Sequence, residues 1–125
     1  MVSRSRNASL VLQRQVLKTV NYTVVTTTDG GKVFSSVLDG MVYTLPGIAI
    51  GNTFTFINLG DDGDAKLSVS PASADGITWA GAESDDSDLI NTKATQKKGD
   101  YAVIASFTAV VTWQVPAARG IWAKG

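Results

Sequence analysis

The chain reads as an all-β protein, an antiparallel β-sandwich or jelly-roll-like barrel with an extended N-terminal arm. Three observations predict this. Short runs of β-branched and aromatic residues recur from Tyr22 to the end, with apolar and polar side chains alternating. Gly and Asp turn signals separate them at close, fairly regular spacing. No stretch beyond residue 20 carries a strong helical period, and no internal repeat is evident.

The stretch Val42 to Leu59 anchors that reading. Val42-Tyr43-Thr44-Leu45 and Thr53-Phe54-Thr55-Phe56-Ile57 alternate, so Phe54 and Phe56 share one face and Thr53 and Thr55 the other. Pro46-Gly47 breaks the first run, because proline lacks a ladder donor and glycine admits positive φ. Upstream, Tyr22 to Thr27 reads as a strand ending at Asp29-Gly30-Gly31. Lys32-Val33-Phe34 starts the next, and Asp39-Gly40 closes it with a hairpin-type signal.

Downstream, Ala65 to Ser70 buries Leu67 and Val69 and stops at Pro71. Ala72 to Lys98 is looser, with a short Ile77-Thr78-Trp79 segment, a polar excursion from Gly81 to Asp88, and a return at Leu89-Ile90. Tyr101 to Ala105 and Val110 to Val115 form a last hairpin ended by Pro116, and Gly120 to Ala123 is a short terminal strand. Phe54, Phe56, Leu67, Val69, Val103 and Val111 are the expected core. The domain division is an arm over 1–20 and a β domain over 21–125.

The arm differs from the body in charge. Residues 1–20 hold Arg4, Arg6, Arg14 and Lys18 and no acid, whereas the rest holds the other seven basic and all eleven acidic residues. A +4 arm thus precedes a −4 body, although the formal net charge of the chain is zero. Met1 to Ser9 is polar and basic, the composition of a mobile terminus. In Leu10 to Val20 a helical face and an extended run compete, and the β-branched residues favour extension.

Composition closes several routes to chemistry. With 125 residues the chain is one domain long, enough to bury roughly two thirds of its unfolded surface. It contains neither cysteine nor histidine. Disulfides, thiolate or imidazole metal sites and Ser-His or Cys-His nucleophiles are therefore excluded. No apolar run approaches the ~20 residues of a membrane helix, and the early arginines lack the apolar run and cleavage site of a secretory signal.

The remaining candidates are few. Asp61-Asp62-Gly63-Asp64 and Asp85-Asp86-Ser87-Asp88 have the oxygen density of a calcium loop but not its downstream bidentate glutamate, and solvated turns explain them as well. Glu83 and the aspartates lie in polar turns without an apolar pocket, which disfavours glycoside hydrolysis. Trp79, Trp113 and Trp122 with Tyr22, Tyr43 and Tyr101 would suit sugar stacking or, equally, a core. An acidic body with only Lys93, Lys97 and Lys98 clustered lacks a nucleic-acid footprint. The expectation is no enzyme, no cofactor and no metal.

Four segments carry a resemblance: YTV…DGGKVF, then YTLP…GNTFTFIN, then LINTKAT…KGDYAVI, and the closing GIWAKG. Together, from about Tyr22 to Trp122, the chain resembles small β-rich modules of tailed-bacteriophage virions, found as capsid decoration (cement) proteins and in head or tail fibres. The resemblance implies a homotrimer on the capsid surface, with the major capsid protein as partner, assembled in the host cytoplasm. A fibre or spike module binding a host glycan is the alternative. In the first case the arm makes the contact with capsid or subunit, through Arg4, Arg6, Leu10, Leu12, Arg14, Val16, Leu17 and Lys18.

Overall fold

The computed structural model describes residues 15–73, 75–80, 87–107 and 112–125. Its strands are β1 Gln15–Leu17, β2 Tyr22–Thr23, β3 Val33–Ser36, β4 Met41–Thr44, β5 Thr53–Asn58 and β6 Leu67–Ser70. They continue with β7 Gly76–Ile77, β8 Leu89–Asn91, β9 Asp100–Ala105, β10 Thr112–Arg119 and β11 Trp122–Lys124. One helical turn, α1 (Thr26–Asp29), and one 3-10 turn, Lys93–Thr95, interrupt them. No helix among these residues is long and apolar enough to cross a membrane.

The protein is mostly β, and two sheets face each other as the alternation predicts. One has six strands in the order β1-β3-β5-β9-β10-β7, the other five in the order β11-β8-β6-β4-β2. Strand direction departs from the expected antiparallel sandwich. From β1 to β6 each strand crosses to the opposite sheet, so the chain winds as a flattened coil of three rungs, β1 with β2, β3 with β4, and β5 with β6. Strands of successive rungs pair parallel. Antiparallel pairing begins where β9 returns along β5 and β8 along β6, and the short β7 again runs parallel, to β10. These are mixed sheets, and the described pairings do not close either into a jelly roll.

Period-2 alternation is blind to direction. It assigns faces, while the connections decide whether neighbours run parallel. The Asp39-Gly40 turn illustrates this. Instead of returning to the same sheet, it docks on the next rung's turn: Gly40 N–H donates to Lys66 O at 3.0 Å and Lys66 N–H to Asp39 Oδ1 at 2.9 Å. The strands around Pro46-Gly47 likewise belong to different sheets.

The core lies between the sheets. Val16, Phe34, Phe56, Ala102 and Ala118 stand side by side across five strands of the larger sheet. Phe34 stacks on Phe56 with centroids 5.7 Å apart, and Tyr43 of the facing sheet tilts against both at 5.3 and 5.2 Å. Offset and tilted aromatic contacts of this kind add to the burial term. Phe54, Phe56, Leu67 and Val69 are buried as expected. Val103 is not: Ala102 and Ile104 face inward opposite Phe56 and Phe54, which turns Val103 to the outer face. Val111 lies outside the described residues.

Two further expectations change. Tyr22 to Thr27 does not stay extended; the strand stops at Thr23 and Thr26–Asp29 form α1, because the Asp29 carboxylate accepts from the Val25 N–H at 2.8 Å and draws the chain into a turn. Pro116 does not end its strand. β10 runs on to Arg119, and the proline falls within a register shift between Gln114 and Ala117, an irregularity of the kind that accommodates a residue without an N–H.

Candidate protein-docking surface

Of the eight residues expected to make a contact, Arg4, Arg6, Leu10, Leu12 and Arg14 lie outside the described residues. The other three sit on or beside β1, so this part of the expected arm belongs to the larger sheet. Val16 points inward, half-buried against the core next to Phe34. Leu17 points outward and is 56% exposed. Lys18 N–H donates to Ser35 O at 3.2 Å, and its ammonium lies 3.9 Å above the centre of the Tyr22 ring. A cation over an aromatic face is attracted by the ring quadrupole, and its alkyl stem covers apolar surface.

Tyr22 carries the contact inward. Its hydroxyl donates to Asp29 Oδ2 at 2.7 Å, and Lys32 Nζ donates to Asp29 Oδ1 at 3.0 Å. Burial alone would raise the Asp29 carboxyl, but the Val25 N–H, the Tyr22 hydroxyl and the Lys32 ammonium together hold it below the usual carboxylate range. The Tyr22 phenol moves the other way, chiefly because it donates to that carboxylate and secondarily through burial. Burial likewise pushes Tyr43, whose hydroxyl donates to Ser35 O at 2.6 Å, up to about 12. The first rung is thus pinned to the second through polar contacts at its margin.

Around this margin the surface is apolar. Leu17 pairs with Ser35 in register, so the residues following β1 and β3 leave the sheet at the same end. Val20 (70% exposed) lies between β1 and β2, and Val37 (50%) and Leu38 (40%) between β3 and β4. Among the described residues neither β1 nor β2 has a strand on its outer side, so both sheets end at the same rung. Lys18 has no carboxylate within ion-pair reach among them.

The other candidates resolve differently. Asp61 and Asp62 are met by Lys98 at 3.6 Å and Lys97 at 3.9 Å, and Lys98 N–H donates to Asp62 Oδ1 at 2.8 Å. Exposed lysines and a backbone donor thus meet these two carboxylates. Asp85 and Asp86 lie outside the described residues. Trp113, Trp122 and Tyr43 are buried, and half-buried Trp79 donates its indole N–H to Trp122 O at 3.0 Å, so these rings do not form an open stacking platform. Among the described residues there is neither a pocket nor a group of three His, Cys, Asp or Glu placed to hold a metal.

One polar cluster is absent from the sequence expectations. Asn58 is in phase with Phe54 and Phe56, an inward position, and period 2 could have flagged it as a buried amide. It donates to Asn91 Oδ1 at 2.8 Å and to Ala65 O at 3.0 Å. Asn91 in turn donates to Asp100 Oδ2 at 3.1 Å, which also accepts from Lys97 N–H at 2.9 Å. Gln96 spans the same end, donating to Gly60 O at 2.8 Å and accepting from Ala65 N–H at 3.3 Å. Gly120, at φ +98°, lies against Asp100 so closely that any Cβ would strike its carboxylate. With its partners paired in this way, the cluster latches the long turns to the core.

Neither protein-family models nor curated proteins give a match to this chain.

Proposed function

We propose that the chain is a structural virion protein, a capsid decoration or cement protein that seats on the outer surface of a tailed-phage head and stabilises it. Its partner is the major capsid protein, its working form a homotrimer, and its place the virion surface after assembly in the host cytoplasm. The observation that carries this reading is the group Leu17, Val20, Val37 and Leu38, apolar and exposed at the end where the chain leaves β1 and β3. Apolar residues gathered at one margin of a filled β body suit contact with another protein. The resemblance to phage modules supplies the kind of partner. A three-fold seat on an icosahedral lattice repeats each weak contact, which favours the trimer.

The alternative, a fibre or spike module binding host glycans, rests on the aromatic set, most of which is committed to the core, and on the loop from Gly81 to Asp88, of which residues 81–86 lie outside the described residues. Sedimenting the full chain with empty phage heads tests the proposal. The protein should pellet with the heads and saturate at a multiple of three copies per lattice three-fold. A chain that stays in the supernatant yet binds a glycan array overturns it.

A further inference from the structure

We propose that β1 accepts an extended segment of a partner protein as a further parallel or antiparallel strand of the larger sheet, and that this segment carries carboxylates between apolar residues. The inference deepens the assembly reading above and rests on it, since it names how the partner is held.

The geometry begins with direction along β1. Lys18 N–H points to β3, where it meets Ser35 O. Main-chain groups alternate sides along a strand, so Lys18 and Val16 face β3 while Gln15 and Leu17 turn their N–H and C=O to the side on which no strand lies among the described residues. Unpaired edge groups are a template for another strand. The same holds for β2, where Val24 N–H donates to Thr44 O and Thr23 therefore faces away. Inward residues of this rung, Val16 and Tyr22, are only half-buried, whereas their counterparts Phe34 and Tyr43 one rung in are fully buried. The core is a layer short here, and an added strand would cover it.

Charge selects the occupant. Lys18 stands at this margin without a carboxylate partner among the described residues. In sequence, residues 1–20 hold three further cations and no acid. A second copy's N-terminal stretch would set cation against cation, whereas a segment with acidic residues gains at each contact.

Hydrogen exchange on the full chain tests this, with two synthetic peptides as probes: one alternating valine with aspartate, one alternating valine with lysine. With the acidic peptide at about ten times its dissociation constant, the Leu17 amide should exchange about tenfold more slowly. The lysine peptide should leave it unchanged. Leu17→Ala should retain most of this protection at Gln15, because its N–H remains. Leu17→Pro removes the edge donor while sparing the bonds to β3, and should abolish it. Should Leu17→Pro fail to fold, the contrast between peptides on the native chain still decides. Equal slowing by both peptides, or by neither, overturns the proposal. So does protection of the Leu17 amide before any peptide is added, which would assign the edge to the chain's own N-terminal residues. Protection rising with protein concentration would assign it to a second copy. If the peptides fail while the chain still sediments with heads, strand addition falls and the assembly reading stands.

Discussion

Asp29 shows how much one side chain can organise. It is buried, and it receives donors from Tyr22, Val25 and Lys32, which join β2, α1 and the start of β3. Its pKa in the folded state lies below the unfolded value of ~3.9. Stability from this carboxylate is therefore fully present above that value and is lost as pH falls through the lower folded one. Asn at this position keeps the shape but loses the charge, so Asp29→Asn should cost about 1.5–3 kcal/mol at neutral pH. Chemical denaturation in a pH series should show the gap between the two proteins closing below about pH 4. A constant gap would mean the charge contributes nothing. At the alkaline side the raised phenols of Tyr22 and Tyr43 protect the fold below ~10 and cease to do so as they ionise. The Asn58–Asn91–Asp100 latch was not legible in the sequence as a contact, since its partners, 9 to 33 residues apart, meet only through the sheets. The inward phase of Asn58 was legible, and it is the signal that reading missed.

Among the elements, strand positions follow the alternation closely and strand directions do not. β3, β5 and β6 fall where period 2 places them, and Phe54, Phe56, Leu67 and Val69 face inward. The parallel coil was hidden because its rungs differ in length. Gln15 pairs with Val33 and Val33 with Thr55, so the spacing changes from one rung to the next and no fixed sequence period survives. Helix α1 was hidden for another reason: Thr-rich sequence favours extension, and the carboxylate of Asp29, accepting from an N–H four residues earlier, outweighs that propensity. The inner and outer faces of the β5–β9 pair give a direct check. Phe56→Ala leaves a cavity beneath Phe34 and Tyr43 and should lower stability by about 3–5 kcal/mol, while Val103→Ala on the outer face should cost about 1 kcal/mol or less. Urea unfolding of both variants measures this, and equal losses would contradict the face assignment.

For the whole molecule, the charge division in the sequence and the apolar margin in the structure both involve the segment that ends at Lys18 and Val20. Lys18 follows Leu17 where β1 leaves the sheet, and Val20, Val37 and Leu38 are exposed at that same end. Exposed ion pairs contribute ~0–1 kcal/mol each and are screened by salt. Burial of three or four aliphatic side chains contributes ~1.5–3 kcal/mol apiece before ordering costs. Attachment through this end should be governed by the apolar term, with charge setting approach and selection. The measurement that bears most directly on that claim is the affinity for empty heads of two double variants, at low and at high salt. Leu12→Asp with Leu17→Asp should lose most of the binding, Arg4→Ala with Arg6→Ala only a small part, and added salt should weaken the native chain modestly. Attachment that survives the aspartates and collapses with the arginines or with salt would contradict it.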